Sequence, residues 1–180
     1  MSRTSPQHRA ALEHFGELLS KQAYQTELRP AGDEVPYDTL LVRIESFEAE
    51  NRVWLLEMSF LPGLEGDLER VSILQSFVSL SDQIAEAHGA ALNRLLVKLN
   101  AKLPLGGFGL LDTPRMLFFK HNALLPDDYP DAGDQIVREL VPMTSYLITL
   151  FSEPLIRVAS GQKTAEEALA DIPFAEAIRG

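Results

Sequence analysis

The chain has no cysteine among its 180 residues. Disulfides, thiolate nucleophiles and thiolate zinc sites are therefore excluded. Histidine is scarce: His8, His14, His88 and His121 stand far apart, and none forms H-E-x-x-H or a comparable metal spacing. No G-x-S-x-G elbow offers a serine nucleophile. Basic residues are outnumbered, 16 Lys and Arg against 26 Asp and Glu, which leaves a net charge of −10. Most of it lies in the first half, where residues 1–90 carry −8 and residues 91–180 carry −2. An acidic surface repels phosphate backbones, so direct nucleic-acid binding is not expected. Long apolar runs are missing too. Stretches such as Val53 to Leu56 and Tyr146 to Phe151 fall far short of the roughly 20 residues that span a bilayer, and Met1 to Leu12 holds no apolar signal core. These absences point to a cytoplasmic protein that uses no cofactor and no membrane.

What is present is an ordinary globular composition, 46% hydrophobic and 23% charged, at a length that suits one domain with a full core. Leu12, Phe15, Leu18 and Leu19 recur at helical spacing and predict a helix from Pro6 to Gln22, with Ser5 as its cap. Ala23 to Leu28 suits a short strand, and the proline- and acid-rich stretch from Arg29 to Asp38 a loop. Three strands are expected at Leu40 to Phe47, Arg52 to Phe60 and Glu69 to Ser79, joined closely enough to pair as an antiparallel meander. Leu92, Leu95, Leu96, Leu99 and Leu103 form the stripe of a second helix, capped by Ser81 or Asp82, weakened at Gly89 and ended by Pro104. Two further strands lead to a long helix with Ile136, Leu140, Met143, Leu147 and Phe151 on one face. Pro142 is expected to kink it and Ser152-Glu153-Pro154 to interrupt it. Gly161 suits a C-terminal cap, and Thr164 to Glu167 reads as the capping box of a last short helix.

The stretch KLPLGGFGLLDTPRMLFFKH, Lys102 to His121, raises a choice between a phosphate loop and a strand. No Lys-Ser or Lys-Thr follows the glycines and no helix opens after them, so strand, turn at Asp112 to Pro114, and strand is the preferred reading, with a ligand loop as its alternative. Glycine inside a strand marks a place where a neighbour comes very close. Two strands are apolar on both faces in their middle: Val53 and Leu55 oppose Trp54 and Leu56, and Met116 and Phe118 oppose Leu117 and Phe119. Either helices of the same chain cover both faces, or a second copy or a partner covers one of them.

The order α-β-β-β-α-β-β-α, with a short C-terminal helix, resembles the class I type III secretion chaperone fold. The segment LLVKLNAKLPLGGF, Leu95 to Phe108, followed by MLFFKHNAL, resembles the YbjN family of bacterial proteins, itself similar to that fold. The resemblance implies an α+β domain over residues 1–161, with an antiparallel sheet packed by helices and a helical extension over 162–180. It also implies a small acidic homodimer that binds other proteins and has no enzymatic activity. Val53, Leu92, Leu96, Met116 and Phe118 are the candidate dimer or protein-binding residues. The alternative is a regulatory small-ligand module with a pocket between sheet and helices.

Three smaller questions stay with the charged and aromatic residues. Asp127, Asp128, Asp131 and Asp134 read as a solvated turn favoured by the next helix's dipole, and less readily as a cation site or, with His121, a hydrolase. Arg43 and Arg70 are expected to pair across strands with Glu45, Glu57 or Glu69. Trp54 reads as a core residue first and an interface anchor second.

Overall fold

The computed structural model describes residues 5–32, 36–45, 52–62, 68, 70–82 and 84–172. The elements run α1 (Ser5–Ser20), β1 (Thr26–Arg29), β2 (Thr39–Glu45), β3 (Val53–Phe60), β4 (Val71–Ser81), α2 (Glu86–Asn100), β5 (Gly107–Asp112), β6 (Arg115–Pro126), α3 (Pro130–Ala159) and α4 (Ala165–Asp171). The strands form one six-stranded sheet in the order β1-β2-β3-β4-β6-β5, and the β1–β2, β3–β4 and β5–β6 pairs are antiparallel. The α+β class and the expected sequence of elements hold, with β1 as a fourth strand ahead of α2. Expected features at Phe47 and Glu69 lie outside the described residues.

The chain divides into two compact units, each assembled from three separate stretches. The first holds residues 1–45, 55–77 and 122–144. In it α1 packs on β1 and β2, burying Leu12, Phe15, Leu18 and Leu19. Alternation sets most of the buried strand residues, although Thr39 and Leu41 on the other face of β2 are buried as well. Leu40, Val42 and Ile44 of β2, and Leu56, Met58 and Phe60 of β3, are buried. Phe60 stacks on the His8 ring at 4.3 Å between centroids and lies 6.5 Å from Phe15. Along β4 the buried set is Ser72, Leu74 and Ser76, whereas Val71 and Ile73 lie on the half-exposed face.

The second unit holds residues 46–54, 78–121 and 145–180. Leu92, Leu95, Leu96 and Leu99 form the buried stripe of α2. Phe108 meets Phe119 edge-on at 5.0 Å and Phe151 at 6.0 Å, contacts worth about 0.5–1.5 kcal/mol each beyond their area. The capping box of α4 forms as expected: Thr164 Oγ accepts from the Glu167 N–H, and the Glu167 carboxylate accepts from the Thr164 N–H. Gly161, at φ +73°, ends α3. Ala165, Ala168, Leu169 and Ile172 are buried, so residues 162–172 take part in this unit's core.

Three local expectations give way. Neither Ser81 nor Asp82 caps α2. Ser81 closes β4, Asp82 accepts a hydrogen bond from Ser79 at 3.2 Å, and α2 starts at Glu86 with Ala85 as an N-cap that makes no side-chain bond. The helix continues through Gly89 because the glycine is buried, its Cβ position 3.2 Å from Arg115 and 3.9 Å from Leu110. The 30-residue α3 runs through Pro142 and Pro154 as one helix, so Ser152-Glu153-Pro154 does not interrupt it. Of its expected apolar stripe, Leu140, Leu147 and Phe151 are buried, Ile136 is half-buried and Met143 is 38% exposed. Val137, Val141 and Ile148 are buried as well. Burying a continuous stripe of that length outweighs the hydrogen bond lost at each proline.

Candidate functional site

The glycine-rich stretch forms β5 and the hairpin to β6, with Asp112 opposite Arg115 and a cis Thr113–Pro114 bond in the turn. It makes no phosphate loop. Gly109 pairs with Phe118, whose ring fills the space a Cβ would take, so the glycine leaves room for the aromatic ring to lie along the strand. The edge of β5 carries a further contact. Asn100, the last residue of α2, accepts from the Phe108 N–H at 2.9 Å and donates to the Phe108 carbonyl at 2.7 Å.

The expected interface residues divide. Leu92 and Leu96 are 0% and 4% exposed, which places them in the core because they belong to the α2 stripe, and so outside any contact surface of this chain. Val53 is 40% exposed, and Met116 and Phe118 are half-buried. Leu55, left out of the expected set, is 48% exposed. Val53 and Leu55 on the second face of β3, and Met116 and Phe118 on that of β6, are thus at least partly exposed, whereas Ser59 at the end of β3 is buried. Trp54 is a core residue, 7% exposed, with the Arg52 guanidinium 5.6 Å from its ring.

A cleft lies in the first unit, between α1 and the first two strands. It is a solvent-open groove of about 670 Å³ lined by Leu12, Gly16, Thr26, Leu28 and Leu40, with Glu13, Glu17 and Lys21 among its polar walls. Gly16 shapes it: a Cβ there would press on Leu40 at 3.2 Å. Ser20 and Thr26 share a hydrogen bond at 3.1 Å within it. Nothing in the helical periodicity singles out Gly16, because its neighbours Thr26 and Leu40 belong to other elements. The one local signal is a glycine inside an otherwise regular amphipathic pattern.

The groove runs beside a strand edge. The Arg43 N–H donates to the Gln25 carbonyl at 2.9 Å, and Thr26 stands opposite Val42. Antiparallel pairing alternates, so Glu27 and Arg29 exchange hydrogen bonds with β2 while Thr26 and Leu28 turn their N–H and C=O groups outward. Those outward groups have no partner among the described residues. Their side chains line the groove. An unpaired N–H and C=O ladder beside an apolar wall is an arrangement that an extended backbone can fill.

Charged groups elsewhere are engaged. Asp127 accepts from the Ser72 hydroxyl at 2.8 Å, Asp128 takes Arg70, and both oxygens of Asp134 lie 2.9 Å from His14. Arg70 therefore pairs with the acidic turn and not across β3–β4, while Arg43 pairs with Glu45 on its own strand at 3.2 Å. No group of three or more potential ligands fit for a metal is found among the described residues. Burial lowers the His121 pKa and raises that of Glu57, the latter partly offset by Arg29. A second cleft of about 370 Å³ lies between α2 and α4, with His88, Arg94, Lys163, Glu166 and Glu167 on its walls. Its charges are mixed and it selects no ligand class. Among the described residues no helix is long and apolar enough to cross a membrane. No protein-family model matches the chain, and no curated protein matches it.

Proposed function

We propose that the chain is a non-enzymatic, chaperone-like or adaptor protein that acts as a homodimer and holds an extended segment of a partner protein. The observation that carries this reading is the groove between α1 and β1, where the outward backbone groups of Thr26 and Leu28 border the half-buried Leu28 side chain, over a floor of the buried Leu12 and Leu40. A segment laid there as an added strand satisfies the open ladder and places every second side chain against that apolar surface. The resemblance of the sequence to YbjN-like proteins and to secretion chaperones supports this reading by analogy, and fold alone does not fix function. The small-ligand alternative asks for an enclosed pocket, whereas this groove opens to solvent. In the proposed homodimer the contact falls to Val53, Met116 and Phe118, the members of the expected set outside the core.

The test uses a photo-crosslinking residue at position 28 in the native cell, with the crosslinked peptides sequenced. The expected product is one recurrent extended segment, lost in a Thr26→Pro variant that lacks one outward N–H but keeps its fold, since an edge strand accepts proline there. Crosslinking that survives Thr26→Pro, or scatters over unrelated sequences, sinks the strand-addition reading. Sedimentation equilibrium tests the second part. A mass of twice the 20.0 kDa chain is expected, and a strict monomer refutes the homodimer.

A further inference from the structure

We infer that Asn100 is a plug on the edge of β5, holding shut a strand edge that otherwise pairs with a second copy of this chain. β5 ends the sheet, so one side of it has no neighbouring strand. Its pairing with β6 sets Phe108 opposite Phe119 and Leu110 opposite Leu117. The Asn100 carboxamide takes both the N–H and the C=O of Phe108, which marks these groups as the outward pair. By alternation the next outward groups along the strand belong to Leu110, and they have no partner among the described residues.

A primary carboxamide offers one acceptor and one donor in a plane. Those are the groups that an adjacent strand presents to an outward-facing residue. Asn100 thus reproduces one rung of a missing strand, from the end of a helix, on an exposed side chain. The plugged rung matters because β5 has only six residues, Gly107 to Asp112, so its outward rungs are few. With Phe108 taken, Leu110 alone offers a rung in mid-strand, too little to nucleate a ladder. Exposed strand edges with consecutive open rungs pair readily with one another. The occupant to be kept out is the β5 of another copy: it meets its own sequence at the same concentration as the protein itself, and two such edges run antiparallel across a two-fold axis. This assignment stands whether or not the β1 groove takes a partner.

Amide exchange in the unaltered protein gives the first readout. The Phe108 amide is expected to exchange about ten-fold or more slowly than the Leu110 amide, and equal rates overturn the plug. The second readout is sedimentation velocity of Asn100→Ala over a concentration series. The variant is expected to form a concentration-dependent species of at least twice the wild-type mass, in which the Phe108 and Leu110 amides become slow together. A variant that keeps the wild-type mass, or associates without slowing Leu110, overturns the proposal. If Asn100→Ala does not fold, Asn100→Ser, whose short hydroxyl cannot bridge both Phe108 groups, carries the same test with the same outcomes. Loss of the fold in both makes Asn100 a tether between helix and strand, and overturns it as well.

Discussion

Ala23 sits at φ 68°, a left-handed conformation that costs an L-residue about 1–2 kcal/mol. It is held there by the end of α1, where the Tyr24 N–H reaches the Leu19 carbonyl at 3.1 Å and the Ala23 N–H reaches Ser20 at 3.0 Å. Glycine usually occupies this place after a helix. Ala23→Gly relieves the strain, and the greater freedom of glycine in the unfolded chain offsets roughly 0.5–1 kcal/mol of that relief. The expected net gain is about 0.5–1 kcal/mol, read as a higher urea midpoint with an unchanged slope. Glu57 makes a second test at the same scale. Its folded pKa lies above its ordinary value because burial disfavours the charge, with Arg29 offsetting only part. The favourable contribution is complete below the unfolded pKa and is lost as pH rises through the folded one, so at neutral pH the ionised carboxylate works against folding. Glu57→Gln should therefore melt higher than the parent at pH 7, and the difference should shrink towards zero below about pH 4. A difference that grows on acidification contradicts the burial argument.

At the scale of elements, α3 shows how packing can override a local signal. Pro142 is exposed, lies within a 30-residue helix, and removes one backbone hydrogen bond. Pro142→Ala should stabilise the protein by up to about 3 kcal/mol, seen as a raised melting temperature with unchanged helical circular dichroism. The smaller α4 depends on its cap, and Thr164→Ala should cost about 1 kcal/mol. The alternation of Leu40, Val42 and Ile44, and of Trp54, Leu56, Met58 and Phe60, made β2 and β3 legible, because burial on one face is written into every second residue. The thread through both prolines was not legible, since proline acts within one turn while the stripe that outweighs it is assembled from distant partners. The groove escaped for the same reason. Gly16 gains meaning only once Leu40 and Thr26 stand against it. Asn100 was visible as part of a Leu-rich motif, but its bond to Phe108 depends on the turn between helix and strand.

For the molecule as a whole the governing quantity is charge. Each chain carries −10, so two copies brought together repel over a distance set by the ionic strength. The residues assigned to the proposed homodimer, the exposed Val53 and the half-buried Met116 and Phe118, are apolar, and apolar contact is not weakened by simple screening salt. Raising sodium chloride from low to moderate concentration shortens the screening length from about 30 Å at 0.01 M to about 10 Å at 0.1 M. Association should therefore tighten with salt, and the dimer dissociation constant from sedimentation equilibrium should fall over that range. A contact built on cross-chain ion pairs responds in the opposite sense. Phe118→Ser should weaken association at every salt concentration yet preserve the slope against salt, because it removes apolar area and leaves the net charge unchanged. If the constant instead rises with salt, the contact is electrostatic, and Val53, Met116 and Phe118 are not what joins the two copies.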